Sequence, residues 1–220
     1  MKKTVSVYIL LILSFFVSSS ISENKEIVID DYKTGISSKW EVKSFAGETR
    51  YSVTTEDNKR CIMAESNAAA SALIYKIKYD PKEYPILSWE WKVRNIIKKG
   101  NALKKKGDDY AARVYVIFPS LLFWKTKAIN YIWANRLPEG EVVPNAFTSN
   151  AKMIAVQSGV KNAGKWISEE RNVFEDYKKL FGEEPPIAGG LAIMTDTDNT
   201  GESATAWYGP VKILSKREKQ

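Results

Sequence analysis

The sequence contains no histidine and only one cysteine, Cys61. Without histidine, no serine or cysteine nucleophile can be served by a histidine base, and no histidine metal site can form. A single cysteine cannot form an intramolecular disulfide. An ordinary zinc site is also excluded, because one cysteine and no histidine cannot supply its ligands. Any chemistry must therefore come from carboxylates, lysine, arginine, tyrosine and hydroxyl groups. If a metal is bound, it is an oxygen-preferring cation such as calcium.

Long hydrophobic runs are also absent, because no run reaches the about 20 apolar residues that a membrane-spanning helix needs. The most apolar run, Val5–Val17, follows two lysines and precedes the small, polar stretch 18–22. That order is typical of a secretory signal peptide. We therefore expect residues 1–22 to be a cleaved signal peptide, with the cut after Ser20 or Ser22. We expect the protein to be exported, periplasmic or secreted, with no transmembrane anchor after cleavage.

The chain carries a formal charge of +7, and much of the excess lies in Lys98–Lys106 and Lys212–Lys219. A basic balance can indicate nucleic acid, but an exported protein rarely meets any, so we expect no nucleic-acid partner. Envelope polyanions or acidic glycans are the partners that such a charge would favour. Solvated lysine-rich loops explain the same charge without any partner.

After the N-terminal segment, short runs of β-branched and aromatic residues alternate with turn clusters. In the clearest runs apolar residues recur at every second position, which is typical of half-buried antiparallel strands. The spacing predicts a mainly all-β protein, an antiparallel jelly-roll-like β-sandwich, as a single domain over 26–214 with a charged tail at 215–220. The predicted strands are Ile27–Asp30, Trp40–Phe45, Arg50–Thr55, Arg60–Glu65, Ser71–Tyr79, Ile86–Arg94, Gly107–Phe118, Ala128–Ala134, Ala151–Gln157, Ile187–Thr195 and Ser203–Leu214, the last split at Gly209-Pro210.

One short helix is predicted between these strands. Asn172 is a suitable N-cap, apolar residues follow it at helical spacing, and Gly182 is a suitable end. Two loops are also predicted, the basic Ile96–Lys106 and the proline-containing Pro138–Asn150.

Arg113 lies inside an apolar strand, where a guanidinium is costly unless a carboxylate or a hydrogen-bonding group meets it. The candidates for this partner are chiefly Asp196 and Asp198 in a later loop and the acids around Arg171, and two further carboxylates, Asp108 and Asp109, lie at the start of the strand. These groups could line a pocket that grips a hydroxyl-rich or anionic ligand. A structural ion pair explains them equally well.

The segment from Asp196 to Gly201 alternates oxygen-bearing side chains, which makes Asp196 and Asp198 weak candidates for calcium ligands. It lacks the third acid and the flanking helices of an EF-hand, and the same residue types make tight turns. No cofactor is therefore expected, with calcium left as an open alternative.

Two further residues complete the candidate surface. Arg171 could lie near Arg113 in a positive pocket, or could bridge the helix to the sheet through Asp176 or Glu175. Trp89 shares a strand face with Trp91 and could form a platform for a sugar ring, although core packing explains most aromatics in a sandwich. The candidate ligand-binding residues are Arg113, Asp108, Asp109, Arg171, Asp196, Asp198 and Trp89.

Two resemblances follow from motifs. The ends of the chain, Ile29-Asp-Asp-Tyr32 with Trp40 and the strand Ala204–Ile213, resemble jelly-roll carbohydrate-binding modules. An ordered set across nearly the whole chain is similar to a family of bacterial exported proteins known only as a domain of unknown function. That set comprises Trp89-Glu-Trp91, Gly107-Asp-Asp109, Arg113-Val-Tyr115, Trp166, Arg171-Asn-Val173, Asp176-Tyr177 and Met194–Gly201. The resemblance implies one exported domain and no particular activity.

The leading functional hypothesis is therefore non-catalytic binding of a glycan or another cell-envelope polymer. One alternative is a histidine-free glycan hydrolase or lyase that uses carboxylates, or Tyr115 with Arg113. A second alternative is binding of an envelope protein, which would need a contiguous apolar surface. The sequence names no reaction and indicates no oligomeric state.

Overall fold

The alternating segments fold as strands in the computed structural model, which describes residues 25–216. Fourteen strands and one α-helix, α1 at Val173–Phe181, make up the regular structure of this part of the chain. The strands are β1 Glu26–Val28, β2 Trp40–Ala46, β3 Arg50–Glu56, β4 Lys59–Asn67, β5 Ala70–Tyr79, β6 Ile86–Val93, β7 Tyr110–Phe118, β8 Lys127–Ala134, β9 Val142–Pro144, β10 Ala151–Ser158, β11 Ile167–Asn172, β12 Ala188–Asp196, β13 Ser203–Tyr208 and β14 Lys212–Leu214.

The strands form two sheets. The first has the order β1-β14-β6-β13-β4-β3, with β11 also paired to β6, and the second has the order β2-β5-β12-β7-β8-β10-β9. Within the described residues all paired neighbours are antiparallel except β8 and β10, which run parallel. The prediction of an all-β, antiparallel, jelly-roll-like sandwich with one short helix is confirmed, apart from this one parallel pair.

The core lies between the sheets and is rich in aromatic side chains. Trp89 and Trp91 from β6 contact each other edge to face at 5.4 Å, and each contacts one aromatic ring of β8, Tyr131 or Trp133. Every second residue of these strands points into this layer, as the period-two pattern requires. Trp89 is therefore buried, and the hypothesis that it forms an exposed sugar platform is wrong.

Two strands were not predicted, β9 and β11. The three residues of β9 lie in the predicted loop Pro138–Asn150, and Pro144 ends this strand, since proline cannot donate to a sheet ladder. The sequence of β11, Ile-Ser-Glu-Glu-Arg-Asn, is too polar to show an apolar alternation. It forms a strand because the edge of β6 offers it a ladder from Ile86 to Trp91.

The helix has the predicted bounds. The Asn172 side chain accepts a hydrogen bond from the backbone N–H of Glu175 at 3.0 Å, and Gly182 ends the helix with a left-handed φ of +73°. The helix packs Tyr177 against Phe118 with ring centres 4.6 Å apart. In the described part of the chain no helix is long and apolar enough to span a membrane.

Residues 1–24 and 217–220 lie outside the described residues. The signal-peptide and export assignments, together with most of the charged tail, therefore remain predictions. The structure begins at Lys25, directly before β1.

Candidate functional site

Arg113 forms a buried ion pair with Asp196. Its Nε donates to Asp196 Oδ1 at 2.8 Å, a terminal amino group contacts the other carboxylate oxygen, and the same amino group donates to the Asp108 carbonyl at 3.1 Å. The guanidinium also lies over the Tyr110 ring, 4.5 Å from its centre. The partner that the strand arginine was expected to need is therefore Asp196, and the carboxylate is as buried as the arginine.

Arg113 and Asp196 share the outer face of the second sheet through ordinary strand alternation, because Asp196 follows Met194, the ladder partner of Arg113, by two residues. Arg113 lies opposite Met194 and Tyr110 lies opposite Asp196, so that β7 contributes one residue more than β12 across this step. Such a β-bulge twists the strand locally and redirects side chains. Here it brings Tyr110 opposite Asp196, onto the same outer face as Arg113, whose guanidinium lies over the Tyr110 ring.

Asp108 and Asp109 have separate roles beside the pair. The Asp109 carboxylate accepts from the backbone N–H groups of Asn199 and Thr200, at 3.2 and 2.7 Å, and so anchors the turn after β12. The Asp108 carboxylate accepts from the Tyr110 hydroxyl at 3.1 Å and from Asn145 Nδ2 at 2.8 Å. Asp108 therefore ties the start of β7 to the loop before β10.

Carboxylate oxygens of Asp109, Asp196 and Asp198 lie within 4.8 Å of one another. Oxygen ligands of this kind suit calcium. However, Arg113 already neutralises Asp196, and backbone N–H groups already saturate Asp109. Burial and the neighbouring charge of Asp109 raise the pKa of Asp198. Protein groups thus already engage two of the three carboxylates, and calcium remains an alternative that the geometry fits only in part.

The pair forms part of a cleft of about 370 Å³ on the outer face of the second sheet. This volume falls within the about 300–1,000 Å³ typical of ligand pockets. The lining is Phe45, Ala70, Asp108, Arg113, Tyr115, Ala128, Asn130, Asn145, Phe147, Ala151, Met194, Asp196, Asp198 and Asn199.

Two phenylalanines at the cleft are unusually exposed, Phe45 by 59% and Phe147 by 58%. Phe45 lies at a bulge in the β2–β5 ladder, between Ser44 and Ala46. Phe147 lies in the loop before β10, where its backbone N–H donates to Asn145 Oδ1 at 3.0 Å. Local backbone geometry, rather than packing, therefore holds both rings at the surface.

Asn130 of β8 is a buried polar residue in the cleft lining. Its amide nitrogen has no hydrogen-bond partner among residues 25–216. Native structures leave few such groups, because an unsatisfied buried donor costs about 1–3 kcal/mol. A bound molecule or a water that it orders could supply the missing acceptor.

The charges of the cleft lining are mainly negative. Asp108, Asp196 and Asp198 stand against one cation, Arg113, which is already paired. Lysines lie at the rim, with the Lys43 and Lys105 ammonium groups each 5.4 Å from a phenylalanine ring centre, those of Phe45 and Phe147 respectively. The floor is thus acidic and rich in acceptors, and the rim is basic and aromatic.

The cleft contains four of the seven residues predicted for the ligand surface: Asp108, Arg113, Asp196 and Asp198. Asp109 supports the adjoining turn without lining the cleft. Arg171 is elsewhere, in a two-point ion pair with Asp176 whose contacts are 2.5 and 3.0 Å long. The hypothesis that Arg171 and Arg113 share a positive pocket is therefore wrong, and the structural alternative for Arg171 is the correct one.

Sequence reasoning missed Phe45, Asn130, Asn145 and Phe147. A signal was present for Phe45, because it continues the polar face of Glu41 and Lys43 in an alternating strand. No signal in the sequence distinguishes Asn130 from an ordinary surface position.

Comparison with solved structures finds matches of low similarity. The xylan-binding module CBM15 is 10% identical, with 90% of this chain and 100% of that chain covered and a TM-score of 0.41. CBM29_1, a carbohydrate-binding module from Piromyces equi, is 7% identical, with 88% and 91% covered and a TM-score of 0.42. The enzymatically active domain of tailspike protein 4 from bacteriophage CBA120 is 10% identical, with a TM-score of 0.42. That match covers 80% of this chain, which spans only 19% of the tailspike chain.

These values are too low to carry a functional argument, and no curated protein matches the sequence. The family profile of DUF3047, described as a protein of unknown function, matches residues 38–212. This match spans most of the chain and confirms the resemblance to a domain of unknown function. The chain therefore belongs to the DUF3047 family of proteins of unknown function.

Proposed function

We propose that the protein binds a glycan in the cleft on the outer face of the second sheet, without turning it over. The observation that carries this proposal is the combination of two exposed rings, Phe45 and Phe147, with an acceptor-rich floor in one cleft. Sugars present both an apolar ring face and hydroxyl donors, so they need both kinds of surface.

The rings and the floor have complementary tasks in this proposal. Phe45 and Phe147 provide flat apolar faces against which sugar rings can pack, on the sides that Lys43 and Lys105 leave free. Sugar hydroxyls donate to Asp108 and Asp198, and one sugar oxygen accepts from the Asn130 amide. Those contacts would satisfy the buried donor that lacks a partner among the described residues.

The charge of the cleft favours a neutral or amino sugar. Three carboxylates face one guanidinium that Asp196 already holds, so a uronate or sulfate would meet net repulsion at the floor. This departs from the acidic ligands that the overall basic charge suggests. The basic excess of the chain lies in loops and at the rim of the cleft.

A panel of polysaccharides that differ in charge tests this proposal. We expect the protein to bind a neutral or amino polymer saturably and to bind uronate or sulfated polymers more weakly at the same salt concentration. We also expect a calcium chelator to leave binding unchanged, because protein groups already engage Asp109 and Asp196. Binding to no polymer, or only to polyanions in a salt-sensitive way, would contradict the proposal.

Cleavage of the glycan is the second candidate function. Tyr115 and Arg113 lie in one cleft with three carboxylates, which are residue types that lyases and hydrolases use. Non-catalytic binding is favoured because the Arg113 donors are engaged and because burial raises the pKa of Tyr115, although the charge of Arg113 opposes that shift. Release of reducing ends or of unsaturated sugars from a bound polymer would show that the protein cleaves it.

A further inference from the structure

A second surface feature lies outside the cleft, in the loop between β7 and β8. Four consecutive apolar side chains, Leu121 to Trp124, are exposed there, Leu121 completely and Phe123 by 79%. Single exposed apolar residues are common, but a contiguous exposed group marks an interaction surface. The glycan-binding proposal does not use this group.

Hydrogen bonds hold the loop in this outward arrangement. Lys125 N–H donates to the Leu122 carbonyl at 2.8 Å and closes a short 3₁₀ turn. Asn150 Nδ2 donates to the Trp124 carbonyl at 2.6 Å and ties the loop to its neighbour. The Phe123 and Trp124 rings contact each other edge to face at 5.1 Å, and both remain exposed. A hydrogen-bonded turn therefore holds the apolar group at the surface.

The charged residues of the loop itself are all basic. No acidic residue occurs from Pro119 to Lys127, whereas Lys125 directly follows the apolar group. Lys127 is the next lysine and is paired with Glu183 at 2.6 Å. The full chain carries a formal charge of +7, so the molecule as a whole is also attracted to negative surfaces.

We propose that this loop binds the surface of an anionic lipid bilayer. Leucine and phenylalanine side chains enter the boundary of the acyl chains, tryptophan lies at the level of the headgroups, and lysine contacts the lipid phosphates. Four consecutive exposed apolar side chains, followed by a lysine in a segment without acidic residues, match the apolar interior and the negative headgroups of such a bilayer. The proposal is independent of the glycan cleft.

Vesicle binding tests the proposal, with Trp124 as the reporter. Of the seven tryptophans, all within the described residues, only Trp124 is exposed, and the others are buried or half-buried. We expect vesicles that contain phosphatidylglycerol to shift tryptophan emission to shorter wavelength and brominated lipids to quench it. Vesicles of phosphatidylcholine alone should give a smaller emission shift and weaker quenching. Residues 1–24 contain no tryptophan, so their apolar run cannot produce this signal.

A double variant, Leu121→Ser with Phe123→Ser, should weaken vesicle binding at least about tenfold in co-sedimentation. The matched control is Val160→Ser, which alters an exposed apolar residue between β10 and β11 and should leave binding unchanged. Equal binding by the double variant and the control, or quenching that does not depend on lipid, would overturn the proposal. Self-association without lipid that the double variant abolishes would also overturn it, in favour of a second copy of the chain as the partner.

Discussion

At the level of single residues, the ion pair of Arg113 and Asp196 governs both the stability and the shape of the cleft. Its two side chains are buried, and removing one partner leaves a buried charge unpaired. We expect Arg113→Met to lower the free energy of unfolding by about 3–5 kcal/mol. Denaturant unfolding of the variant and the parent measures this difference.

The double variant Arg113→Met with Asp196→Leu is the control for that prediction. It removes both charges, so it should be more stable than the sum of the two single effects predicts. A cost below about 1 kcal/mol for Arg113→Met alone, which is typical of exposed pairs, would show that the pair is not buried in solution. Because Arg113 supports the fold, its loss is a poor probe of ligand binding, and the exposed phenylalanines are better probes.

Glu169 of β11 gives a pH-dependent prediction at the same level. Burial raises the pKa of Glu169, although hydrogen bonds from Gln157 at 3.0 Å and Trp91 at 3.3 Å oppose the shift. Its ionised form therefore destabilises the folded state above the folded pKa. This penalty is relieved as the pH falls through that pKa, and it vanishes below the unfolded value of about 4.3.

We accordingly expect Glu169→Gln to be more stable than the parent at neutral pH, because glutamine keeps the acceptor oxygen and removes the charge. The advantage should disappear in unfolding measurements near pH 3. A difference in the free energy of unfolding between Glu169→Gln and the parent that stays constant from pH 7 to pH 3 would contradict the raised pKa of Glu169.

Single residues also show what the sequence can and cannot predict. The need of Arg113 for a carboxylate follows from its place in an apolar strand, and Asp196 was among the candidates. The sequence does not show which face of a strand lies inside the sandwich, so it could not exclude Trp89 from the ligand surface. Trp89 points between the sheets, and a bulge places Phe45 at the surface.

At the level of elements, the helix cap gives a direct prediction. Asn172 satisfies one backbone N–H that would otherwise lack a partner at the start of α1. We expect Asn172→Ala to lower the free energy of unfolding by about 1 kcal/mol. Asn172→Asp, which keeps an acceptor at this position, should be nearly neutral, and an equal loss in both variants would argue against the cap.

Elements with strong local signals were predicted within a few residues, because alternation, caps and glycines act locally. The two missed strands, β9 and β11, form through pairing rather than through their own residue pattern, β9 with the next strand along the chain and β11 with the distant strand β6. Val142–Pro144 pairs with Lys152–Ile154 and Ile167–Asn172 pairs with Ile86–Trp91. The parallel pairing of β8 and β10 likewise depends on the path of the connection between them, and the residue pattern of either strand does not indicate its direction.

For the whole molecule, the N-terminal segment makes a prediction about location. When the full sequence is expressed in a bacterium, we expect the mature protein to begin after Ser20 or Ser22 and to be released with the exported fraction. Intact-mass measurement and N-terminal sequencing of each fraction would check this. A protein that keeps Met1 and remains inside the cell would contradict the assignment of a signal peptide.

We propose that the molecule binds a glycan in the cleft that carries Phe45 and Phe147. The most direct test is calorimetric titration of the best polymer from the charge panel into Phe45→Ala, Phe147→Ala and Phe123→Ala. Phe123 is an exposed phenylalanine outside the cleft, so it is the matched control. We predict about tenfold or greater loss of affinity for each cleft variant, about 1.4 kcal/mol, and none for Phe123→Ala. Undiminished binding by both cleft variants would contradict the claim.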